Sequence, residues 1–135
     1  MMSNETFCLK WEHFQLNLGS SFNDLRNEEL LSDVTLASDD DDTIEAHKNI
    51  LAISSPFFKK LLTRHKHPHP LIYIKGMEMK ELKSIIDFIY NGEVYVKQDN
   101  LQSFLNNAAE LKIKGLDNEE GNDAEMNKIK ETKKY

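Results

Sequence analysis

The amino-acid sequence predicts a single folded domain built from both short β-strands and α-helices. Three observations predict it. The chain has 135 residues, a length typical of one domain. Its 39% hydrophobic and 30% charged residues match a globular protein. The spacing of apolar residues also alternates along the chain between two residues, as in strands, and three to four residues, as in helices.

The first predicted element is a short N-terminal strand, and a helix follows it. The strand places three large apolar side chains on one face, which requires a partner because a bare apolar edge is unfavourable in water. The helix carries an apolar stripe at spacings of three and four residues. The face of the strand consists of Phe7, Leu9 and Trp11, and the stripe of the helix consists of Phe14, Leu18, Phe22 and Leu25.

Two strands joined by an acidic turn are predicted next. They cover residues 33–37 and 43–48, and residues 38–42 between them favour a turn. Four successive aspartates, Asp39 to Asp42, occupy this turn. They indicate a solvated loop, with a weak divalent-cation site as the alternative, because the glycine and distal glutamate of a calcium loop are missing.

The second half of the chain alternates helices with short strands. Ser55 and Pro56 are typical of a helix start, and Asn91-Gly92 of a helix end. The predicted elements are a helix after Ser55, a fully buried strand at 71–74, a helix around Leu82, Ile85, Ile86 and Ile89, a strand at 93–97, and a helix from Leu101 to Leu111 capped by Asp99 or Asn100.

The folded domain is expected to cover residues 1–116, with a polar tail after it. Residues 117–135 contain six acidic residues and four lysines but few apolar side chains. Such a segment cannot bury enough surface to offset its ordering entropy, so we expect a disordered linker or tail.

Charge and composition also restrict the function. The net charge of −6 offers no general attraction to nucleic acid, so we expect no direct DNA binding. The single cysteine excludes an intramolecular disulfide and fits a reducing compartment. No apolar run is long enough for a membrane span or a signal peptide, which predicts a soluble, intracellular protein without a membrane partner.

Catalytic and cofactor-binding chemistry lacks a complete set of residues. The five glycines are scattered and form no nucleotide-binding loop. His65, His67 and His69 alternate, but no further ligand completes a zinc site, so an exposed loop is favoured. His47 stands without a nucleophile and indicates a hydrogen-bonded structural histidine. We expect no enzyme, no metal and no cofactor.

Several separated motifs together resemble one known family. They are F-C-L-K-W, D-V-T-L, A-H-K-N-I-L-A-I-S-S-P-F-F, I-D-F-I-Y-N-G-E-V and A-A-E-L-K-I-K-G-L, in that order. This pattern is similar to the BTB/POZ domain. The F-x-L-K-W opening resembles the Tramtrack group, found at the N-termini of insect transcription factors and chromatin proteins. The resemblance extends from Phe7 to Leu116.

The resemblance implies an α+β fold, a helical cluster flanked by a small β-sheet with an extra N-terminal strand. It implies a nuclear interaction module that homodimerises through that strand and the first helix and assembles further. Association with other BTB domains and with corepressors is a further implication. A charged pair at the dimer cleft of the family corresponds to Asp33 and Lys48. This pair is either a binding pocket or a simple fold-stabilising salt bridge.

Two functions from different classes follow from this resemblance. The first is a module that multimerises a transcriptional or chromatin regulator and raises the effective concentration of linked DNA-binding modules. The alternative is a substrate adaptor of a cullin-dependent ubiquitin ligase. Adaptors of that kind continue into further helices, whereas this sequence becomes polar at Asp117. That difference favours the first function.

Overall fold

The computed structural model describes residues 4–116, which form five helices and three strands. The architecture is α+β, as predicted. In chain order the elements are α1 (Phe14–Asn27), β1 (Val34–Ala37), β2 (Thr43–Ala46), α2 (Lys48–Ser54), α3 (Pro56–Arg64), β3 (Leu71–Tyr73), α4 (Met79–Asn91) and α5 (Gln98–Glu110). The predicted tail at 117–135 lies outside the described residues.

The three strands form one small mixed sheet in the order β2-β1-β3. The predicted hairpin is confirmed, with β1 antiparallel to β2 and Leu36 opposite Ile44. On its other side β1 runs parallel to β3, with Leu36 opposite Ile72. Leu36 is fully buried at the centre of the sheet. Its alternating neighbours Thr35 and Ala37 are less buried, as the period of two requires.

Strand β3 is an edge strand, and the prediction that it is fully buried is wrong. Leu71 and Tyr73 expose 67% and 57% of their surface. A continuous apolar run indicates a strand covered on both sides, but β3 has a hydrogen-bonded neighbour on one side only. Ile72 points toward the core and packs against it.

The helix boundaries follow local signals at most positions. The Ser55 hydroxyl accepts the Phe58 N–H at 3.1 Å, which caps α3 as predicted. Gly92 adopts a left-handed conformation (φ 79°) and ends α4. Helix α5, however, begins at Gln98 with Lys97 at its N-cap, so the predicted caps Asp99 and Asn100 are wrong. Lys48, predicted to end a strand, begins α2 instead.

Two predicted strands do not form within the single chain. Residues 4–11 and 93–97 lie in neither a helix nor a strand. A β-strand forms only when its backbone makes hydrogen bonds to a neighbouring strand. Alternation of apolar and polar residues shows only that one face of the segment is apolar. In the second segment Val94 and Val96 pack against the core while Tyr95 is exposed. The first segment has no such burial.

The hydrophobic core joins the sheet to helices α2 to α5. Its largest fully buried side chains include Phe58, Leu51, Leu82 and Ile85, and they meet Leu36 of the sheet. Helix α1 contributes no buried residue to it. The first helix therefore lies on the outside of an otherwise complete core.

Candidate interaction surface

The N-terminal segment before and into α1 exposes an almost continuous series of large apolar side chains. Leu9 and Trp11 expose 91% and 61% of their surface. The rings of Trp11 and Phe14 contact each other edge to face, with centroids 5.1 Å apart. We call this set the N-terminal apolar surface, and it consists of Phe7, Leu9, Trp11, Phe14 and Leu16.

The predicted apolar stripe of α1 is only partly buried: some of its side chains pack on the domain, and Phe14 belongs to the N-terminal apolar surface. Phe22 packs against the core, whereas Leu18 and Leu25 are half-buried and Phe14 is exposed. His13, in a left-handed conformation (φ 58°), precedes the helix, and its carbonyl accepts the Asn17 N–H. Helix α1 thus holds one side toward α4 and leaves another side open.

Arg26 fastens the end of α1 to α4. Its guanidinium donates to the Asp87 carboxylate at 2.5 Å, and both side chains are largely shielded from water. The same guanidinium lies 5.1 Å from the centre of the Tyr90 ring, a cation–π arrangement. Since α1 has no fully buried residue, these polar contacts add to the packing of its half-buried side chains, among them Phe22.

Tyr90 and His47 form a buried hydrogen-bonded pair beneath Arg26. The Tyr90 hydroxyl accepts the backbone N–H of His47 at 2.9 Å and lies 2.7 Å from its Nδ1. The Nε2 of His47 lies 2.7 Å from the Leu30 carbonyl. A neutral ring that donates from Nε2 and accepts at Nδ1 satisfies all three groups. The prediction of a hydrogen-bonded structural histidine is confirmed.

Burial raises the pKa of Tyr90 to about 12 from its ordinary value of 10.0, although the His47 N–H and the Arg26 charge oppose the rise. An unfolded tyrosine ionises near 10.0, so the native state retains a proton that the unfolded state loses. The stability contributed by Tyr90 is therefore complete below that pH and is lost as the pH rises to about 12.

We expect the alkaline limb of the stability profile to depend on this hydroxyl. The difference in unfolding free energy between the wild type and Tyr90→Phe should shrink as the pH increases from 10 to 12. Urea unfolding at several pH values measures it. Tyr95→Phe, at an exposed position, is the control and should change nothing. A difference that stays constant across this range would contradict the prediction.

Asp33 and Lys48 lie close together but do not form the charged pair that the resemblance implied. One Asp33 carboxylate oxygen accepts the backbone N–H of Lys48 at 2.7 Å, at the start of α2. The Lys48 ammonium instead donates to the carbonyls of His67 and Pro68 at 2.6 and 3.2 Å. Both residues are half-buried rather than buried. The carboxylate therefore acts as a helix cap supplied from outside α2.

We expect Asp33→Ala to lower the free energy of unfolding by about 1 kcal/mol, the usual cost of losing a helix cap. Asp33→Asn retains a carbonyl acceptor and should stay within about 0.5 kcal/mol of the wild type. Thermal unfolding of the two variants measures both values. Equal losses for the two variants would show that the negative charge, not the acceptor, is what stabilises the fold.

Comparison with known proteins places these features in a family. The sequence model of the BTB/POZ domain matches residues 22–124. In Drosophila melanogaster, "Longitudinals lacking protein-like" is 45% identical over 116 residues, which cover 86% of this chain and 91% of that protein. The chain belongs to the BTB/POZ domain family. It is thereby a protein-interaction domain, and the predicted family and fold are confirmed.

Further relatives of this BTB domain confirm the Tramtrack group. "Protein tramtrack, alpha isoform" is 42% identical and "Sex determination protein fruitless" 41%, both from Drosophila melanogaster. The alignments cover 85% and 84% of this chain but only 14% and 12% of those longer proteins. The BTB domain of zebrafish PATZ1 superposes with a TM-score of 0.75 at 18% identity, covering 93% of this chain and 99% of that one. The last match concerns the fold alone.

The alternating histidines of the BTB domain belong to a surface loop. His69 lies 2.8 Å from the Thr35 hydroxyl and 3.2 Å from the Glu45 carboxylate, and its backbone N–H donates to His67 Nδ1. Within residues 4–116 no group of three or more histidine, cysteine or acidic side chains is arranged to hold a metal ion. No helix in that range is long and apolar enough to cross a bilayer.

The aspartate run has a structural function at the edge of the sheet. Asp39 accepts hydrogen bonds from the Tyr73 hydroxyl and from the Gly76 N–H. Asp40 accepts from the Ser38 hydroxyl and from the Met79 N–H, and the Ser38 bond above all lowers the pKa of Asp40. Two of the four aspartates thus connect the hairpin turn to the segment after β3.

Sequence reasoning missed three residues that position α1, namely Arg26, Asp87 and Tyr90. Asp87 and Tyr90 occur in the sequence patterns only within the motif I-D-F-I-Y-N-G-E-V, and Arg26 belongs to none of the patterns. Arg26 and Asp87 are separated by 61 residues, so no short spacing links them. The one available signal was a charged residue on the same helix face as Phe22.

Proposed function

We propose that this BTB domain is a self-associating module. It homodimerises through the N-terminal apolar surface and α1, and its dimers assemble further. In the nucleus it brings together copies of a transcriptional or chromatin regulator, and it associates with other BTB domains and with corepressors. The single observation that carries the proposal is the exposure of the five large apolar side chains of that surface.

The size of this surface supports a protein partner. Monomeric proteins rarely expose a contiguous apolar patch beyond a few hundred square ångströms. Burial of Phe7, Leu9 and Trp11 alone is worth roughly 4 to 8 kcal/mol before the costs of association. Residues 7–11 also form no strand with any part of residues 4–116, so a second chain can pair with this segment.

A second copy of the same chain can cover this apolar surface without any other partner. A two-fold axis beside α1 brings two identical apolar surfaces together, so that each covers the other. The surface carries few charges that would oppose this, chiefly Lys10 and Glu12, which have opposite signs. No observation in residues 4–116 favours the ubiquitin-ligase adaptor, whose distinguishing helices would follow Asp117.

Light scattering on the intact chain at several concentrations tests the proposal. We expect a mass of at least twice the chain mass of 15.7 kDa, with larger species at higher concentration. A mass equal to a single chain throughout the accessible concentration range would contradict it.

A further inference from the structure

An apolar groove lies between α3 and β3, on a part of the domain that the N-terminal apolar surface does not include. It has a volume of about 300 Å³. Its walls are apolar except for one imidazole at one end. The lining residues are Leu61, Leu62, His65, Pro70, Leu71, Ile72 and Tyr73.

The β3 wall of this groove is an open strand edge. Toward β1, the Pro70 carbonyl accepts the Thr35 N–H and the Ile74 N–H donates to the Ala37 carbonyl. Backbone groups alternate between the two sides of a strand, so those of Leu71 and Tyr73 face away from β1. No further strand of the described chain lies beyond β3. An extended segment can therefore add to the sheet here.

The chain segments that form the groove are basic, although the domain as a whole is acidic. Between Glu45 and Glu78 the sequence contains no acidic residue. The charged residues of α3, of β3 and of the segments that flank β3 in this range are all lysines or arginines, and each of them is exposed. They are Lys59, Lys60, Arg64, Lys66 and Lys75.

Two carboxylates near the ends of β3 have partners within the domain. Asp39 accepts the Tyr73 hydroxyl at one end of β3. Glu45 accepts the Thr35 hydroxyl at 3.2 Å, and its other oxygen lies 3.2 Å from His69 Nε2. The hydrogen bond to Asp39 above all raises the pKa of Tyr73. The exposed basic residues of α3 and of the following loop precede Pro70 in the sequence, and they favour an acidic ligand on this part of the domain.

We propose that this groove binds an extended, acidic peptide segment of a partner protein, which adds as a strand to β3. Its backbone pairs with Leu71 and Tyr73, alternate apolar side chains enter the groove, and acidic residues before them meet the basic side chains near Pro70. The site is separate from self-association and does not depend on it.

Other occupants fit this chemistry less well. The chain's own residues 117–125 are acidic, but they contain Gly121 and two asparagines and lack the apolar, β-branched residues that a strand in an apolar groove requires. A second copy of the groove would bring two basic rims together, which is repulsive. Nucleic acid would match the charge, but it has no backbone groups that complete a strand edge or fill an apolar groove.

Fluorescence anisotropy with the intact chain tests the proposal. The probe is a short labelled peptide in which a run of glutamates precedes alternating isoleucine and threonine residues. We expect saturable binding that weakens as salt increases. The same peptide with lysines in place of the glutamates should bind at least about tenfold more weakly, and so should the acidic peptide N-methylated at alternate amides.

Matched protein variants locate the site. Leu71→Asp should weaken binding of the acidic peptide at least about tenfold. Ile53→Asp, at a position on α2 that is 66% exposed against 67% for Leu71, should leave it unchanged. Both side chains lie on the surface, and unchanged circular dichroism verifies the fold of each variant.

Six results would each overturn the proposal. The first two are that the lysine peptide, or the N-methylated peptide, binds as tightly as the acidic one. The third is that Leu71→Asp has no effect on binding. A random DNA duplex displaces the acidic peptide, which would make this a nucleic-acid surface. A synthetic peptide of residues 117–126 binds more tightly than the acidic probe. Finally, Leu71→Asp lowers the assembly mass, which would assign the groove to a second copy.

Discussion

Replacing Arg26 by alanine is expected to lower the free energy of unfolding by about 2 to 3 kcal/mol. The change removes the 2.5 Å hydrogen bond to Asp87 and the stacking over Tyr90. It leaves the Asp87 carboxylate partly shielded from water without its cation, a loss that exceeds the net worth of the pair. Urea unfolding followed by circular dichroism measures the effect.

The same change should also loosen α1, because no buried side chain holds that helix. We expect faster amide hydrogen exchange in α1 than in α4 of the Arg26→Ala variant. Arg64→Ala, which removes an exposed arginine from α3, is the matched control and should stay within about 0.5 kcal/mol of the wild type. Equal stabilities of both variants would show that Arg26 does not fasten α1.

A double variant separates the pair from its surroundings. Arg26→Ala combined with Asp87→Ala leaves no unpaired charge, so it should be less destabilised than the sum of the two single variants. The remaining loss then reports the contact between the guanidinium and Tyr90. Strict additivity would mean that the two side chains do not stabilise each other.

Local patterns predicted those parts of the fold whose cause is local. The β1–β2 hairpin follows from alternation on both sides of a turn-forming run, and the start of α3 follows from Ser55 before Pro56. These signals act over a few residues, and the chain can satisfy them before the core assembles. Gly92 ends α4 for the same reason, since glycine tolerates its positive φ.

Contacts between distant elements escaped prediction because no sequence period encodes them. Arg26 meets Asp87, and His47 meets Tyr90, only after α4 packs beside α1 and the start of α2. The Asp33 carboxylate shows a related limit. Its position near Lys48 followed from the resemblance, but which atoms of Lys48 it contacts depends on where α2 begins.

The residues of the candidate site were predictable as apolar, while their secondary structure was not. Phe7, Leu9 and Trp11 alternate as strand residues do, yet a strand requires a neighbouring chain segment, and these residues pair with no strand of residues 4–116. The same holds for residues 93–97. Alternation identified a face that needs covering but could not identify what covers it.

Replacing Leu9 by aspartate together with Trp11 by serine is expected to produce a smaller species by light scattering. The two side chains belong to the N-terminal apolar surface. Burial of Phe7, Leu9 and Trp11 is worth roughly 4 to 8 kcal/mol before association costs, which is enough to decide an assembly state. A charge placed within such an interface removes much of that energy.

The fold itself should survive this double change, because neither side chain belongs to the core and the Trp11 ring packs on Phe14 of the same surface. We therefore expect helical circular dichroism equal to that of the wild type. Leu31→Asp, another exposed leucine outside the surface, is the control and should keep the wild-type mass. An unchanged mass in the double variant would remove the assembly function from this segment. Loss of helical signal would instead assign Leu9 and Trp11 to the stability of the subunit.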